Sequence, residues 1–253
     1  MIICHRKKMN AIVVSDLHIG SKYYLHQVFE RFLDNIPEDY ELILNGDIVD
    51  NPYAKLEPRD QRILNRIEQI SYRQKVVWLR GNHDNGNFPK NLGKIRIKHL
   101  HTLRHRLLIT HGDYFDEIMP LSKTFMKAFQ LMHNLKVKLG ARPVHVAEYA
   151  KKWEFLYKVL RKNVMINVVN YARKNGFKAV TCGHTHYPED RMVNGVRYIN
   201  TGAWTEFPPY GLIVTTDEMW MRRIDKFCEL PKPFRPEKFE VAPYWLPVVK
   251  YQH

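Results

Sequence analysis

Cysteine is scarce in this chain of 253 residues, and the three that occur, Cys4, Cys182 and Cys228, are widely spaced. They form no CxxC pair, and an odd number cannot all pair within one chain. Neither a disulfide scaffold nor a cysteine-ligated zinc site is therefore expected. This cysteine usage favours a reducing, cytoplasmic environment.

Long apolar runs are also missing, since no stretch reaches the roughly 18 residues that a membrane-spanning helix needs. The N-terminal sequence MIICHRKKMN places its short apolar run before the basic residues, unlike a secretory signal. Met9 lies directly before the first predicted strand, so residues 1–8 are interpreted as an upstream extension, with Met1 or Met9 as the native start. Any membrane contact is expected to be peripheral.

Acidic residues are few relative to basic ones, with 26 Asp and Glu against 40 Lys and Arg and a formal net charge of +14. Such a balance favours an anionic partner: a phosphate, a nucleic acid or an acidic membrane surface. Hydrophobic residues make up 45% of the chain, which predicts one globular domain over residues 1–253.

Short apolar runs alternate with helical patterns in the first half of the chain. Strands are predicted at residues 11–14, 41–44, 75–79, 94–98 and 107–110, and helices at 23–36 and 58–71. Later strands are predicted at residues 179–182, 196–199, 212–215 and 219–222, the last two as a hairpin. This rhythm predicts a layered α/β fold whose loops carry the functional site.

The rhythm breaks over residues 121–175, which hold helical apolar stripes and nine Lys and three Arg against two Glu. Breaks are predicted near residues 140–143 and between residues 160 and 164. We interpret residues 119–175 as an inserted basic, amphipathic helical hairpin, a lid over an anionic and partly apolar substrate. A solvated basic face is the alternative. The Pro-rich tail, residues 231–253, is expected to be an extended strap.

Polar motifs follow five of the predicted strands. In chain order they are DLH (16–18), GDIVD (46–50), GNHD (81–84), HGD (111–113) and GHTH (183–186). His184 and His186 are two residues apart, and such residues point to the same side of an extended segment. Donors of this kind, without thiolate, suit Mn, Fe or Zn rather than Ca. Asp47, if it bridges, would hold two ions roughly 3.5–4 Å apart.

Two ions of this kind lower the pKa of a shared water and stabilise charge on a phosphoryl group. The chain contains no GxxxxGK[ST] phosphate loop, so nucleotide hydrolysis by a P-loop is not supported. It also contains no GxSxG nucleophile elbow.

The five ordered blocks resemble the calcineurin-like metallophosphoesterase superfamily, whose pattern is DxH, GDxxD, GNH(D/E), H and GHxH. The resemblance implies a four-layer α-β-β-α sandwich of two mixed sheets flanked by helices, with a dinuclear site at the strand ends. It implies a metal-dependent hydrolase of phosphoesters or pyrophosphates. Two divalent ions are implied as cofactors, with Mn expected first and Fe or Zn as alternatives.

The resemblance also implies a role for each motif residue. The implied ligands of the first ion are Asp16, His18, Asp47 and His186. Those of the second ion are Asp47, Asn82, His111 and His184. His83 is implied to stabilise the transition state or protonate the leaving oxygen, Asp84 to orient His83, and Asp50 to fix a ligand imidazole.

A narrower resemblance is carried by SDLHIGS, HGDYFD, and GHTHYPE followed by GVRYINTGAWTE. These are similar to the UDP-2,3-diacylglucosamine pyrophosphatases of lipid A synthesis, which also carry a helical insertion between the HGD and GHTH blocks. The resemblance implies water attack on the α-phosphorus, which releases UMP and 2,3-diacylglucosamine 1-phosphate, with acyl chains sheltered by the insertion. Well-known members carry Arg at the position of His83. Substrate contacts are predicted at Lys123, Lys127 and Arg161.

Two alternatives remain open on the sequence alone. The first is a metal-dependent phosphodiesterase or nuclease acting on nucleotides or nucleic acid, which the basic charge would equally serve. The second is a non-catalytic scaffold of the same fold. The preferred hypothesis is a cytoplasmic enzyme that binds peripherally to the membrane and acts on a nucleotide-linked lipid. No protein partner is predicted.

Overall fold

The computed structural model describes most of the chain between residues 10 and 226. The described residues are 10–84, 88, 91–104, 106–118, 131, 135–140, 148, 151 and 154–226. The predictions for the N-terminal extension, for Lys123 and Lys127, for most of the hairpin and for the tail lie outside these residues.

The described elements alternate strands with helices up to residue 79, and three further strands follow by residue 110. The strands are β1 (Asn10–Val14), β2 (Tyr40–Asn45), β3 (Val76–Leu79), β4 (Arg96–Lys98), β5 (Leu100–Leu103), β6 (Leu107–Thr110), β7 (Ala179–Cys182), β8 (Glu189–Val193), β9 (Val196–Asn200), β10 (Tyr210–Val214) and β11 (Met219–Arg223). The helices are α1 (His26–Asn35), α2 (Pro58–Arg73) and α3 (Glu154–Lys174), and a 3₁₀ helix covers Asp113–Phe115.

The strands form two mixed sheets. The six-stranded sheet has the order β11-β10-β1-β2-β3-β4, and the five-stranded sheet has the order β5-β6-β7-β9-β8. β1, β2, β3 and β4 are mutually parallel, whereas β10 is antiparallel to β1 and forms the predicted hairpin with β11. In the second sheet β6, β7 and β9 are parallel. The carboxyl ends of the central strands therefore lie along one edge of each sheet.

Alternating side chains divide the interior into three apolar layers. Ala11 and Val13 face the layer between the two sheets. Ile12 and Val14 face the other way and pack with the apolar residues of α1 and α2. On the far side of the second sheet, α3 packs its own apolar residues against β6, β7 and β9. This confirms the predicted arrangement of two mixed sheets flanked by helices.

Several boundaries differ from those that the sequence predicts. β5 and β8 were not predicted, because their apolar content is low and β8 is a half-exposed edge strand of sequence EDRMV. The break expected between residues 160 and 164 is wrong, since α3 continues through both positions and buries Tyr157 and Val164 on the same helix. Within the described ranges, no helix combines the length and hydropathy needed to cross a membrane.

Candidate metal centre

Five strand ends bring the predicted ligands together. The loops that follow β1, β2 and β3 of the first sheet carry Asp16, Asp47 and Asn82, and the loops that follow β6 and β7 of the second carry His111 and His184. Backbone hydrogen bonds tie neighbouring ends: the Asp16 amide donates to the Gly46 carbonyl at 3.0 Å, and the Gly183 amide donates to the His111 carbonyl at 2.8 Å. The centre thus lies where both sheets present their carboxyl ends.

The backbone at these ends is left-handed at most of the predicted ligands. Positive φ angles near 50–65° occur at Asp16 (53°), His18 (51°), Asp47 (52°), His184 (64°) and His186 (53°). Non-glycine residues rarely adopt this conformation, and clusters of it mark functional sites. The premise that His184 and His186 extend β7 and share one side is therefore wrong, because β7 ends at Cys182 and the chain turns sharply at each histidine.

One group of donor atoms is formed by Asp16, His18 and His186. The Nε2 atoms of His18 and His186 lie 3.2 Å apart, and His186 Nε2 is also 3.2 Å from Asp16 Oδ1. His18 Nδ1 lies 2.9 Å from Asp50 Oδ1, which turns His18 Nε2 toward the group. Asp50 thus holds the His18 imidazole in place, and its role in fixing a metal ligand stays a prediction.

A second group is formed by Asp16, Asp47 and His111, whose donor atoms lie within 4.8 Å of one another. The buried Nδ1 of His111 donates to the Asn45 carbonyl at 2.9 Å, so in the neutral imidazole, the form that binds a metal, Nε2 carries the lone pair. That Nε2 is buried without a hydrogen bond, although it lies 3.3 Å from Asp47 Oδ2. A buried nitrogen lone pair beside two carboxylates fits a bound cation.

Close backbone approach leaves no room for side chains beside two ligand carboxylates. A Cβ atom on Gly183 would lie 2.1 Å from Asp16 Oδ2, and one on Gly81 would lie 2.2 Å from Asp47 Oδ1. The His184 amide donates to both Asp16 oxygens, at 3.1 and 3.2 Å, and the His83 amide donates to Asp47 Oδ1 at 2.8 Å. The glycines of the GNHD and GHTH motifs therefore allow the backbone to hold Asp16 and Asp47.

Electrostatics within the centre follow from burial and opposite charge. Burial alone would raise the pKa of Asp47, but the charge of nearby His111 holds that pKa well below its ordinary value. Burial opposes protonation of His111, yet the charges of Asp47 and Asp16 raise the pKa of His111 well above its ordinary value. These buried carboxylates are thus ionised at neutral pH and suited to hold cations.

The residues present fit two divalent ions. Asp16, His18 and His186 converge as one donor set, and Asp47 and His111 as another, with Asn82 and His184 meeting at 2.9 Å between Oδ1 and Nδ1. Ions held there would supply Lewis-acid stabilisation of a phosphoryl group and an activated water. The chain's own residues orient the donors and exclude solvent. The assignment of each ligand to one ion remains a prediction.

His83 lies at the edge of this centre and is half-exposed. Its Nδ1 donates to the Asp50 carbonyl at 2.8 Å, and its ring packs edge-on to His18 with 4.7 Å between centroids. Because a carbonyl only accepts, Nε2 is the nitrogen able to exchange a proton with a substrate.

Asp84 does not contact His83, the residue that it was expected to orient. Its Oδ2 accepts from the Ile48 amide at 2.8 Å and from Trp78 Nε1 at 2.9 Å, and its Oδ1 accepts from the Gly81 amide at 2.7 Å. None of these bonds reaches His83, whose ring is held by Asp50. Burial raises the pKa of Asp84, and the charge of Asp47 adds to this. The geometry makes Asp84 a brace between two motif loops.

The loop of residues 183–186 is braced from two sides. Asn200 Nδ2 donates to the Gly183 carbonyl at 2.7 Å and to Thr185 Oγ1 at 3.0 Å. From the predicted insertion, Lys151 Nζ donates to the His186 carbonyl at 2.6 Å, and the Tyr157 hydroxyl donates to the Thr185 carbonyl. The insertion therefore contacts the metal centre directly.

Arg161, a predicted substrate contact, lies under this loop. Its side chain is 13% exposed, its Nη2 lies 2.9 Å from Glu189 Oε1, and its guanidinium carbon is 3.3 Å from the Tyr187 ring centroid. These contacts give Arg161 a bracing position, and a role in binding substrate stays a prediction.

One functional candidate was missed from the sequence. Asp116, beyond the HGD block, places Oδ2 at 2.9 Å from His184 Nε2. The fragment HGDYFD contains this residue, but its partner is 68 positions further along the chain, so spacing alone did not reveal the pair.

Buried carboxylates and imidazoles at the shared edge of two mixed sheets define a metal-dependent hydrolase. The family model described as calcineurin-like phosphoesterase matches residues 9–188, and the chain belongs to that family. A search of curated proteins found no match.

Solved structures provide distant similarities. A predicted phosphoesterase from Streptococcus pneumoniae TIGR4 is 16% identical, with a TM-score of 0.40 over 86% of this chain and 91% of that one. The E. coli phosphoesterase Yfce is 15% identical, with a TM-score of 0.45 over 85% and 100%. The Pseudomonas putida nuclease MPE is 16% identical, with a TM-score of 0.41 over 84% and 87%. The family assignment rests on the family model.

Replacing His83 with alanine is expected to lower kcat by about 10²-fold, because it removes a group that can transfer a proton. The number of bound metal ions should not change, because the His83 ring donates to the Asp50 carbonyl and is not a predicted ligand. The measurement is kcat on an aryl phosphodiester together with bound Mn per chain. His99→Ala, at an exposed position, is the matched control. Loss of bound Mn in His83→Ala would instead make His83 a ligand.

Proposed function

We propose that this chain hydrolyses UDP-2,3-diacylglucosamine to UMP and 2,3-diacylglucosamine 1-phosphate, with Mn as its metal. The centre suits this reaction because a pyrophosphate ester requires stabilisation of charge on phosphorus and a proton for the leaving oxygen. Asp16, Asp47 and the histidines provide the cation site, and His83 provides the exchangeable proton.

The observation that carries the substrate proposal is exposed apolar surface on the insertion, a segment whose Lys151 and Tyr157 contact the loop of residues 183–186. Phe155 is 83% exposed and Leu139 is 78% exposed, and Leu131 and Leu135 precede Leu139 at helical spacing. Exposed apolar groups of this kind mark binding surfaces for apolar partners. The loop that Lys151 and Tyr157 contact carries two predicted metal ligands. The same insertion therefore has both exposed apolar side chains and contacts with the candidate metal centre.

Basic charge on the insertion suits the phosphate groups of the same substrate. The nine Lys and three Arg of residues 121–175 outnumber two Glu, and the described part includes Lys136, Lys138 and Lys158. A substrate with an anionic head and two acyl chains matches both properties. We propose peripheral attachment of the enzyme to the inner face of the membrane, because its lipid substrate resides there.

The basic charge also favours a second candidate, a phosphodiesterase or nuclease acting on nucleic acid. Binding of this kind weakens steeply with salt as counterions are released. Exposed leucines on the insertion favour the lipid instead, because nucleic-acid surfaces are polar and charged.

The deciding assay measures UMP released from UDP-2,3-diacylglucosamine by the full chain with added Mn. UDP-glucosamine without acyl chains, an aryl phosphodiester and single-stranded RNA are run in parallel. The proposal expects fast release only from the acylated substrate. Absence of UMP with intact cleavage of the aryl phosphodiester would refute the lipid substrate, and cleavage of RNA would favour the second candidate.

A further inference from the structure

Asp116 contacts a predicted metal ligand from outside the five sequence motifs. Its Oδ2 lies 2.9 Å from His184 Nε2, and the two side chains are 3% and 6% exposed. Its other carboxylate oxygen accepts a hydrogen bond from the Ile118 amide at 2.9 Å. The carboxylate is thus fixed at both oxygens and buried against the imidazole.

This contact decides which nitrogen of His184 is presented to a cation. In the neutral imidazole, the form that binds a metal, this contact with a carboxylate places the proton on Nε2 and the lone pair on Nδ1. That Nδ1 lies 2.9 Å from Asn82 Oδ1, the oxygen of another predicted ligand of the second ion. With the ring neutral both atoms are acceptors, and a cation held between them would relieve their repulsion at this distance.

His184 presents the other ring nitrogen to the centre than two of the remaining predicted ligands do. His18 and His111 each use Nδ1 to contact the protein, at Asp50 and at the Asn45 carbonyl, and present Nε2. His184 presents Nδ1 and needs a partner on the outer nitrogen. Asp116 is that partner.

α3 holds the loop that carries Asp116. Asn167 Nδ2 donates to the Phe115 carbonyl at 3.1 Å, and the Glu117 amide donates to Asn163 Oδ1 at 3.0 Å. The residues on either side of Asp116 are therefore tied to the helix. A change in α3 would reach His184 through this loop.

We propose that Asp116 is a positioning residue for the second metal ion: it orients His184 with Nδ1 toward the ion. Carboxylate partners of ligand histidines act in this way, and their loss weakens metal binding by about 10–100-fold. The proposal rests on the two-ion site of the family and is independent of the lipid substrate.

The test is Mn titration of the full-length Asp116→Asn chain, with free Mn measured by electron paramagnetic resonance. Asparagine keeps the size of the side chain and removes its charge. One class of sites should lose affinity by about 10-fold, at the lower end of the range for such partners, with the other class unchanged. At limiting Mn, kcat on an aryl phosphodiester should fall and recover with added Mn, at constant KM.

Glu117→Gln, at the next and exposed position, is the matched control and should bind Mn as the wild type does. Asp116→Glu, which keeps the charge, should restore part of the lost Mn affinity. If Asp116→Asn does not give the wild-type circular dichroism spectrum, Asp116→Glu is used in its place. Unchanged affinity at both sites, or equal weakening of both, would overturn the proposal. Neither outcome depends on UMP release, so the substrate proposal fails or stands separately.

Discussion

Asp47→Asn is expected to reduce kcat by about 10³-fold or more, the largest effect of any single substitution in this chain. Asp47 lies 3.3 Å from His111 Nε2 and shares a donor group with Asp16, and the family resemblance places it on both ions. Metal stabilisation of a phosphoryl transition state is worth several kcal/mol. Because each 1.36 kcal/mol is about tenfold in rate, its loss gives the expected reduction.

The fold should survive this substitution. The His83 amide donates to Asp47 Oδ1 at 2.8 Å, and the asparagine carbonyl can accept the same hydrogen bond. The measurement is bound Mn per chain by elemental analysis, with kcat on an aryl phosphodiester at saturating Mn. Asp217→Asn, in the exposed turn between β10 and β11, should match the wild type. Two tightly bound ions and a kcat within tenfold of wild type would contradict a bridging role for Asp47.

The convergence of the proposed ligands could be predicted because these residues follow closely after apolar runs. Asp16, Asp47 and Asn82 each come two or three residues after a strand whose side chains are nearly all buried. Parallel neighbours bring those ends to one edge, so the order of motifs was enough to predict convergence. Local sequence and sheet topology thus agree at this site.

Other features depend on contacts that local sequence does not record. The pairing of Asp116 with His184 needs the curl of the 3₁₀ helix after Gly112, whose φ of 116° turns the chain back toward β7. The left-handed turns at His184 and His186 likewise follow from tertiary contacts, because isolated histidines seldom adopt them. In both cases the fold overrides local preference.

Asp84 makes contacts other than the one that its place in the motif implied. It follows His83 in the sequence, which suggested that it orients that ring. The bonds of Asp84 run instead to Ile48, Gly81 and Trp78, linking the loops after β2 and β3. Adjacent residues in a tight turn point in different directions, so adjacency does not predict contact.

Asp84→Ala is accordingly expected to destabilise the fold before it affects chemistry. The carboxylate is 1% exposed and satisfies three buried donors. Each donor left unsatisfied costs about 1–3 kcal/mol, and with water entering the space we expect a loss of about 3 kcal/mol. For a domain of this size that lowers the melting temperature by about 6–12 °C. Thermal unfolding followed by circular dichroism measures the shift.

The matched variant is Asp50→Asn, because Asp50 contacts the two histidines that Asp84 does not. Asp50 Oδ1 lies 2.9 Å from His18 Nδ1, and the Asp50 carbonyl accepts from His83. Asp50→Asn should therefore lower kcat with little change in melting temperature, since the Asp50 side chain is one-third exposed.

Asp84→Ala, assayed well below its melting temperature, should retain kcat within about tenfold of wild type, since it leaves the Asp50–His83 contact in place. The reverse result, an unchanged melting temperature and a kcat as low as that of His83→Ala, would return Asp84 to the role of orienting His83. The pair of variants thus separates the residue that holds the loops from the residue that holds the reacting groups.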